Sequence, residues 1–172
     1  MLTLVLGGVR SGKSRYAEQC AKDSGKQVVY IATATITDNE MQSRIEQHRI
    51  RRSSDWLTIE EPVHLADVIQ RFSDNNFLLV DCLTLWLSNI MFDNKGELQE
   101  STFDLQTAAL LKVLENTDKE ITLVTNEIGL GVVSADKKTR RFVDESGLLH
   151  QRISQLADRV VLMTAGLPQI LK

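Results

Sequence analysis

The chain has 172 residues, 42% hydrophobic and 25% charged, a composition typical of one soluble globular domain rather than of a collagen, a coiled coil or a disordered chain. A formal net charge of −3 gives no global attraction to nucleic acid or to an anionic membrane. No apolar run approaches the ~18 residues of a membrane span, and Cys20 and Cys82 lack metal-ligand spacing, so we expect free thiols in the cytoplasm.

Five short apolar runs rich in β-branched residues are predicted to be strands covered on both faces. They are Leu2–Leu6, Val28–Thr33, Phe77–Asp81, Ile121–Asn126 and Val160–Thr164. Segments with helical character separate them, namely Lys13–Ser24, Thr37–Arg52, Val63–Asp74, Leu83–Phe92, Ser101–Asn116 and Asp136–Asp158. This alternation predicts a single α/β domain over residues 1–172, with a mostly parallel sheet and helices on both faces.

Ligands of such sheets bind beyond the carboxyl ends of the strands, so the residues that follow each strand are the candidate site. These residues are Gly7–Ser14, Ala32–Thr35, Asp81–Thr84, Asn126–Gly131 and Ala165–Pro168.

The loop after the first strand fits the phosphate-binding pattern GxxxxGK[ST], and a helical segment follows it, as the pattern requires. It reads Gly7, Gly8, Val9, Arg10, Ser11, Gly12, Lys13 and Ser14. Its glycines let backbone N–H groups converge on phosphate oxygens, and the helix that follows directs its positive end at the same anion. Lys13 is predicted to neutralise β- and γ-phosphate charge, and Ser14 to offer its hydroxyl to Mg²⁺.

Asp81 ends an apolar strand. In nucleotide-binding proteins a carboxylate at this place is typically associated with the metal, in addition to the hydroxyl of the phosphate loop. Acids after strands are common, so this signal is weak alone. Together with the phosphate loop it predicts that Asp81 is associated with Mg²⁺.

A basic segment follows the second strand. On a helix, Arg44, His48, Arg51 and Arg52 share one face, and with Arg49 they give a local charge excess in an acidic protein. Such a face suits a triphosphate, because arginine binds phosphate oxygens bidentately. A neutral imidazole among these arginines is a nucleophile able to carry a transferred group.

The same spacing also has a structural explanation. Met41, Ile45 and His48 follow the i, i+4, i+7 spacing of an apolar stripe, and the arginines would then form a solvated face. Spacing alone favours this alternative.

An ordered set of motifs resembles the bifunctional adenosylcobinamide kinase/adenosylcobinamide-phosphate guanylyltransferase family over nearly the whole chain. Besides the phosphate loop, the motifs are Tyr30–Thr33, Asp38–Met41, Arg44–Arg49, Trp56–Pro62, Val80–Thr84, Val124–Gly131 and Ala165–Pro168. The resemblance implies a RecA-like fold and two reactions. One phosphorylates the aminopropanol hydroxyl of adenosylcobinamide, and the other transfers GMP from GTP to that phosphate, giving adenosylcobinamide-GDP for cobalamin biosynthesis.

The resemblance also implies roles for residues. His48 would form the covalent GMP adduct, the phosphate loop would bind GTP (or ATP in the kinase step), and one acid of the Glu60–Glu61 pair would contact nucleotide. Further nucleotide contacts are implied for Thr33, Ala34, Thr35, Arg49, Ile50, Arg51 and Arg52. Some relatives carry glutamate where this chain has Asp81, and a proline commonly follows the arginine in the segment that here reads Arg51–Trp56.

The resemblance also implies partners for the protein, and it leaves two alternative functions open. The implied substrate is a corrinoid, the implied assembly is a homotrimer, and no nucleic acid partner is expected. Two alternatives stay open, a small-molecule kinase without guanylyl transfer and a RecA-like module that binds a partner under nucleotide control.

Overall fold

The computed structural model describes residues 1–35 and 53–172, which form seven strands and five helices. In chain order these are β1 (Leu2–Gly7), α1 (Lys13–Asp23), β2 (Gln27–Ala32), β3 (Leu57–Glu60), α2 (Leu65–Arg71), β4 (Asn76–Asp81), α3 (Leu83–Met91), α4 (Glu100–Glu115), β5 (Glu120–Asn126), α5 (Lys137–Leu156), β6 (Arg159–Thr164) and β7 (Leu167–Ile170). The predicted helix over Thr37–Arg52 lies outside the described residues.

The strands form one sheet in the order β3-β2-β4-β5-β1-β6-β7. Every neighbouring pair is parallel except β6 and β7, which are antiparallel. The five predicted strands are confirmed to within one residue at each end, and so is the mostly parallel α/β architecture. Strand β1 lies between β5 and β6, so the chain reverses its direction of winding beside β1, where such sheets bind ligands.

Two strands were not predicted, and both lie at the edges of the sheet. β3 has four residues, mostly exposed, and all four residues of β7 are exposed and include Pro168. Edge strands need no continuous apolar run, and proline is tolerated there because one side of the strand makes no ladder bonds. The segment Ala165–Pro168, predicted as a ligand-binding loop, is therefore a two-residue turn followed by the start of β7.

Helices cover both faces of the described sheet. The small residues Ala17 and Ala21 of α1 pack with Tyr30 and Phe77 on one face. Helices α2 to α5 pack on the other face, where the larger apolar cluster contains Leu4 and other buried strand residues. Alternate residues of β1 and β4 thus serve opposite faces, which explains why these strands read as continuous apolar runs. Among the described helices, none has the length and hydropathy of a membrane span.

The boundaries of α2 differ most from prediction. The expected helix Val63–Asp74 is shorter, Leu65–Arg71, because Glu61 Oε1 accepts hydrogen bonds from the N–H groups of Val63 (3.0 Å) and His64 (2.8 Å) just before its first turn. At the other end Phe72 is extended. The other described helices agree with prediction to within two residues.

Helix α4 offers a matched test of this packing. Leu110 is fully buried, whereas Leu105 on the same helix is 66% exposed. We expect Leu110→Ala to lower the free energy of unfolding by ~2–5 kcal/mol, because it leaves a cavity in the core. Leu105→Ala is the control and should change it by less than ~0.5 kcal/mol. Urea unfolding measures both, and equal effects would contradict the packing described here.

Candidate nucleotide-binding site

The carboxyl ends of the central strands bring the predicted site residues to one edge of the sheet. Gly7, at the end of β1, pairs with Asn126 of β5, and Asp81, at the end of β4, pairs with Ala32 of β2 and Val124 of β5. The phosphate loop and the predicted metal carboxylate therefore lie at the ends of two strands, β1 and β4, that flank β5.

The phosphate loop adopts a conformation that glycine makes possible. Gly12 is the residue before α1 and has φ 98°, in the left-handed region, and Arg10 also has a positive φ of 56°. A bond of 3.2 Å from the N–H of Ser11 to the carbonyl of Gly8 closes the turn. Helix α1 then starts at Lys13, with no acidic residue in its first turn to compete with an anion.

The turn between β6 and β7 supports this loop. The N–H of Gly166 donates to the carbonyl of Ser11 at 2.9 Å, and a Cβ on Gly12 would lie 3.1 Å from Gly166 Cα. A Cβ on Gly7 would meet the carbonyl oxygen of Met163 at 2.8 Å and the Ser11 hydroxyl. Close packing against the hairpin therefore requires glycine at both positions.

Lys13 lies within the loop that it is predicted to serve. Its Nζ donates to the carbonyl of Gly8 at 3.0 Å. Burial lowers the pKa of Lys13, and the neighbouring Asp81 carboxylate acts in the opposite direction. A cationic group half-removed from water, beside the amino end of a helix, suits it to polyphosphate.

Asp81 is held by residues of the neighbouring strand and by the connection that follows. The hydroxyl of Tyr30 donates to Asp81 Oδ2 at 2.7 Å. Thr33 is fully buried, and its hydroxyl donates to the carbonyl of Cys82 (2.7 Å) and accepts from the Cys82 N–H (2.9 Å). The peptide bond between Asp81 and Cys82 is cis. Burial raises the pKa of the Cys82 thiol to about 11, so it is neutral at pH 7.

The remaining residues of the segment Thr33–Thr35 are accessible. Ala34 is half-buried and Thr35 is exposed. The side-chain amide of Asn89, in α3, donates to the carbonyl of Thr33 at 2.8 Å, and the Thr35 hydroxyl lies 3.4 Å from Asn89 Oδ1. Asn89 therefore fixes the chain directly after β2, while Thr33 uses its side chain to hold Cys82.

The two candidate acids after β3 have different environments. Glu61 caps the entry to α2, and its own N–H donates to the carbonyl of Ala32 at 2.9 Å. Glu60 ends β3, pairs with Ala32 and has an exposed side chain. Glu60 is thus the more exposed of the two acids.

Two side chains at this edge of the sheet are suitable ligands for Mg²⁺. Ser14, in the first turn of α1, supplies a hydroxyl and Asp81 a carboxylate, both hard oxygen ligands. No group of three or more His, Cys, Asp or Glu side chains forms a metal cage in residues 1–35 and 53–172. Mg²⁺ usually takes one or two protein oxygens and completes its shell with phosphate and water, so a sparse set is what it needs.

Some predicted residues lie outside the described ranges, and some contributors were not predicted. His48, Arg49, Ile50, Arg51 and Arg52 belong to the first group. The second group comprises Tyr30 and Asn89, which act by holding Asp81 and Thr33. Gly166, which supports the phosphate loop, belongs to the predicted segment Ala165–Pro168. Positioning by Tyr30 and Asn89 carries no local sequence signal.

Gly12 provides a test of the loop. Gly12→Ala places a Cβ against the backbone of Gly166 at a residue with positive φ, so we expect GTP affinity to fall at least ~10-fold, equivalent to ~1.4 kcal/mol. Gly25→Ala is the matched control, because Gly25 also has positive φ (66°) but open space around its Cα. Calorimetric titration with GTP measures both variants, and an equal loss of affinity would contradict the loop geometry.

Comparisons with known proteins agree with this geometry. The sequence profile of the cobinamide kinase / cobinamide phosphate guanyltransferase family matches residues 3–171. The bifunctional adenosylcobalamin biosynthesis protein CobP of Pseudomonas aeruginosa is 47% identical, covering 100% of this chain and 98% of that protein. The corresponding protein CobU of Escherichia coli is 37% identical, covering 97% of each. The RadB recombinase structure superposes with a TM-score of 0.52 at 18% identity, covering 94% of this chain and 73% of that one, a likeness of fold alone.

Proposed function

The chain belongs to the cobinamide kinase / cobinamide phosphate guanyltransferase family, and on that basis we propose that both reactions use the phosphate loop and that GMP is carried on His48. The observation that carries this proposal is the full-length family match together with a glycine loop built against the start of α1. Cobinamide phosphorylation and guanylyl transfer are the activities of this transferase family.

In the kinase reaction, we propose that the aminopropanol hydroxyl of adenosylcobinamide attacks the γ-phosphorus of a nucleoside triphosphate. The bond from γ-phosphorus to the bridging oxygen breaks, the nucleoside diphosphate leaves, and the hydroxyl proton is released to water. Lys13 and the N–H groups at the start of α1 hold the β- and γ-phosphates and stabilise the charge that develops on the leaving oxygen. GTP, or ATP for this step, is the proposed donor.

In the guanylyl transfer, an imidazole nitrogen of His48 attacks the α-phosphorus of GTP, and pyrophosphate leaves. A phosphate oxygen of adenosylcobinamide phosphate then attacks the same phosphorus, which releases His48 and gives adenosylcobinamide-GDP. Arg49, Arg51 and Arg52, with Ile50 between them, are proposed to contact the nucleotide. Their charge would stabilise the phosphate under attack and keep the imidazole neutral.

Glu60, rather than Glu61, is proposed to contact the nucleotide. Support comes from the position of Glu60, an exposed residue at the end of β3 beside Ala32 of β2, and from the bonds that tie Glu61 to the backbone before α2. Ala34 and Thr35 are proposed to contact nucleotide directly. Thr33 is proposed to act through the backbone it holds at Cys82.

Mg²⁺ is proposed to be held by Ser14 and Asp81 with phosphate oxygens, where it neutralises phosphate charge. Asp81→Asn should raise the Mg²⁺ concentration that gives half-maximal activity, by ~10-fold or more, because a neutral amide is a weaker ligand. GTP affinity without Mg²⁺ should change little. Asp74→Asn, at the opposite end of β4, is the control, and steady-state rates over a Mg²⁺ titration give the answer. An unchanged Mg²⁺ requirement would remove Asp81 from the metal site.

Parallel incubations with GTP labelled at the α- or the γ-phosphate test the covalent route. Label that stays on denatured protein from the α-position alone, and that is acid-labile and base-stable, supports a phosphoramidate of GMP. If adenosylcobinamide is phosphorylated but neither label stays on the protein, the chain acts as a kinase without a GMP adduct, and His48 has a structural role.

Assembly and location are proposals as well. We propose a homotrimer, and exposed aliphatic residues in the loop after β5, Leu130, Val132 and Val133, supply surface of the kind that association covers. Light scattering that gave a monomer at working concentration would reject it. A cytoplasmic location is supported by the free thiols of Cys20 and Cys82, which suit a reducing compartment.

A further inference from the structure

A chain of buried polar side chains lies beneath the site edge. His150 Nε2, in the middle of α5, is 2.8 Å from Thr125 Oγ1, near the end of β5. Thr125 Oγ1 is 3.1 Å from Thr84 Oγ1, in the first turn of α3. The N–H of Asn126 donates to Thr84 Oγ1 at 2.7 Å. All three side chains are at most 9% exposed, so they rely on one another rather than on water.

The order of the protons in this chain follows from counting donors and acceptors. Thr84 Oγ1 already accepts the Asn126 N–H. If the Thr84 hydroxyl donates to Thr125 and the Thr125 hydroxyl donates to His150 Nε2, every hydroxyl proton has an acceptor. In the reverse order the hydroxyl proton of Thr84 would have no acceptor among the described residues. The complete order requires a neutral His150 whose proton is on Nδ1.

The surroundings of His150 agree with the neutral form. Burial lowers the pKa of His150, and the nearby Glu127 carboxylate acts in the opposite direction. The hydroxyl of Ser146, one turn earlier on α5, lies 3.5 Å from the same Nε2 and can donate to it in this tautomer. An unprotonated Nε2 thus has two hydroxyls within reach.

The backbone at Asn126, where this series of hydrogen bonds ends, is next to the phosphate loop. Asn126 pairs with Gly7, and the N–H of Glu127 donates to the carbonyl of Gly7 at 3.0 Å. Thr84 follows the connection that begins at Asp81. The hydrogen-bonded side chains of His150, Thr125 and Thr84 therefore join α5, the end of β5 and the start of α3. The spacing of these three segments sets the distance between the phosphate loop and the Asp81 carboxylate.

We infer that His150 is a positioning residue: as an acceptor for the Thr125–Thr84 hydroxyl chain, it fixes the ends of β4 and β5 against the phosphate loop for group transfer. This inference rests on the proposed function of the site. The internal bonds of the phosphate loop, between Ser11 and Gly8 and between Ser11 and Gly166, do not pass through His150. Loss of the acceptor should therefore slow transfer while the loop still binds GTP.

Four variants test the inference. His150→Leu removes the acceptor, and His150→Gln places an amide near the position of Nε2. We expect the leucine variant to lower kcat by ~10- to 100-fold, the cost of a small misplacement of reacting groups, with the Kd for GTP unchanged. The glutamine variant should recover most of kcat. His64→Leu, at an exposed histidine before α2, is the matched control. Adding Thr125→Val to His150→Leu should cost little more, because the chain is already broken.

Several results would overturn the inference: equal kcat in the leucine and glutamine variants, parallel losses of kcat and GTP affinity, or additive effects in the double variant. A direct observation is independent of activity and of variant folding. Nitrogen-15 NMR of the wild-type imidazole should show His150 Nε2 unprotonated and Nδ1 protonated at pH 7, and a protonated Nε2 would overturn the proton order. A wild-type protein without transferase activity would instead reject the proposed function, whatever the tautomer.

Discussion

His48→Ala is expected to abolish the protein-bound GMP and to lower guanylyl transfer to adenosylcobinamide phosphate by at least ~10³-fold, because the variant has no nucleophile to carry the group. The kinase reaction should continue, since it needs no covalent intermediate on the protein. Measured together, retention of α-label on the protein and phosphorylation of adenosylcobinamide separate the two roles.

The control for His48 is His64→Ala. His64 is an exposed residue before α2, and its Nδ1 lies 3.3 Å from the side-chain amide of Gln106. It should keep both activities. If His48→Ala kept its α-label, another residue would carry GMP. If it lost both reactions while remaining folded by circular dichroism, the division between the two steps would be wrong.

Lys13→Ala should lower kcat/KM of both reactions by ~10²–10³-fold, the usual cost of removing one fixed donor from a developing charge. Unlike His48, Lys13 is proposed to bind the triphosphate in both steps, so the two reactions should fall together. Steady-state kinetics with each acceptor in turn measure the effect.

Lys22→Ala is the matched control for Lys13. Both lysines belong to α1, but Lys22 is exposed in its last turn, at the end that repels anions. It should keep both activities. A Lys13 variant that lost only one reaction would show that the two steps bind their triphosphates differently.

The sequence predicts the central sheet well because buried parallel strands need continuous apolar runs. Leu2–Leu6 and Phe77–Asp81 could be read almost to the residue for this reason. β3 and β7 could not, because both are short, mostly exposed strands at the edges of the sheet, where no continuous apolar run is needed. The late start of α2 depends on Glu61, whose bonds to the N–H groups of Val63 and His64 leave no sign in the sequence beyond an acidic residue in a loop.

For the site as well, some contacts could be predicted from the sequence and others could not. Contacts made within a few residues, as in Gly7–Ser14, leave a spacing pattern that sequence analysis detects. Contacts across strands leave none, so the bond from Tyr30 to Asp81 and the buried chain from His150 to Thr84 became visible only in three dimensions. The roles of His48 and its arginines rest on resemblance to the family and stay predictions, since spacing alone favours a structural role.

The central place of β1 affects how the protein matures during synthesis. β1 is made before its partners β5 and β6 and before the supporting Gly166, which lie far from it in sequence. The ribosome therefore releases the phosphate loop long before its supports exist, and closing such distant contacts is slow. GTP cannot stabilise the growing chain through this loop, because a ligand stabilises only the state that binds it. The apolar residues of β1 thus stay without their strand neighbours until β5 and β6 have been made, a state in which nascent chains are prone to aggregate.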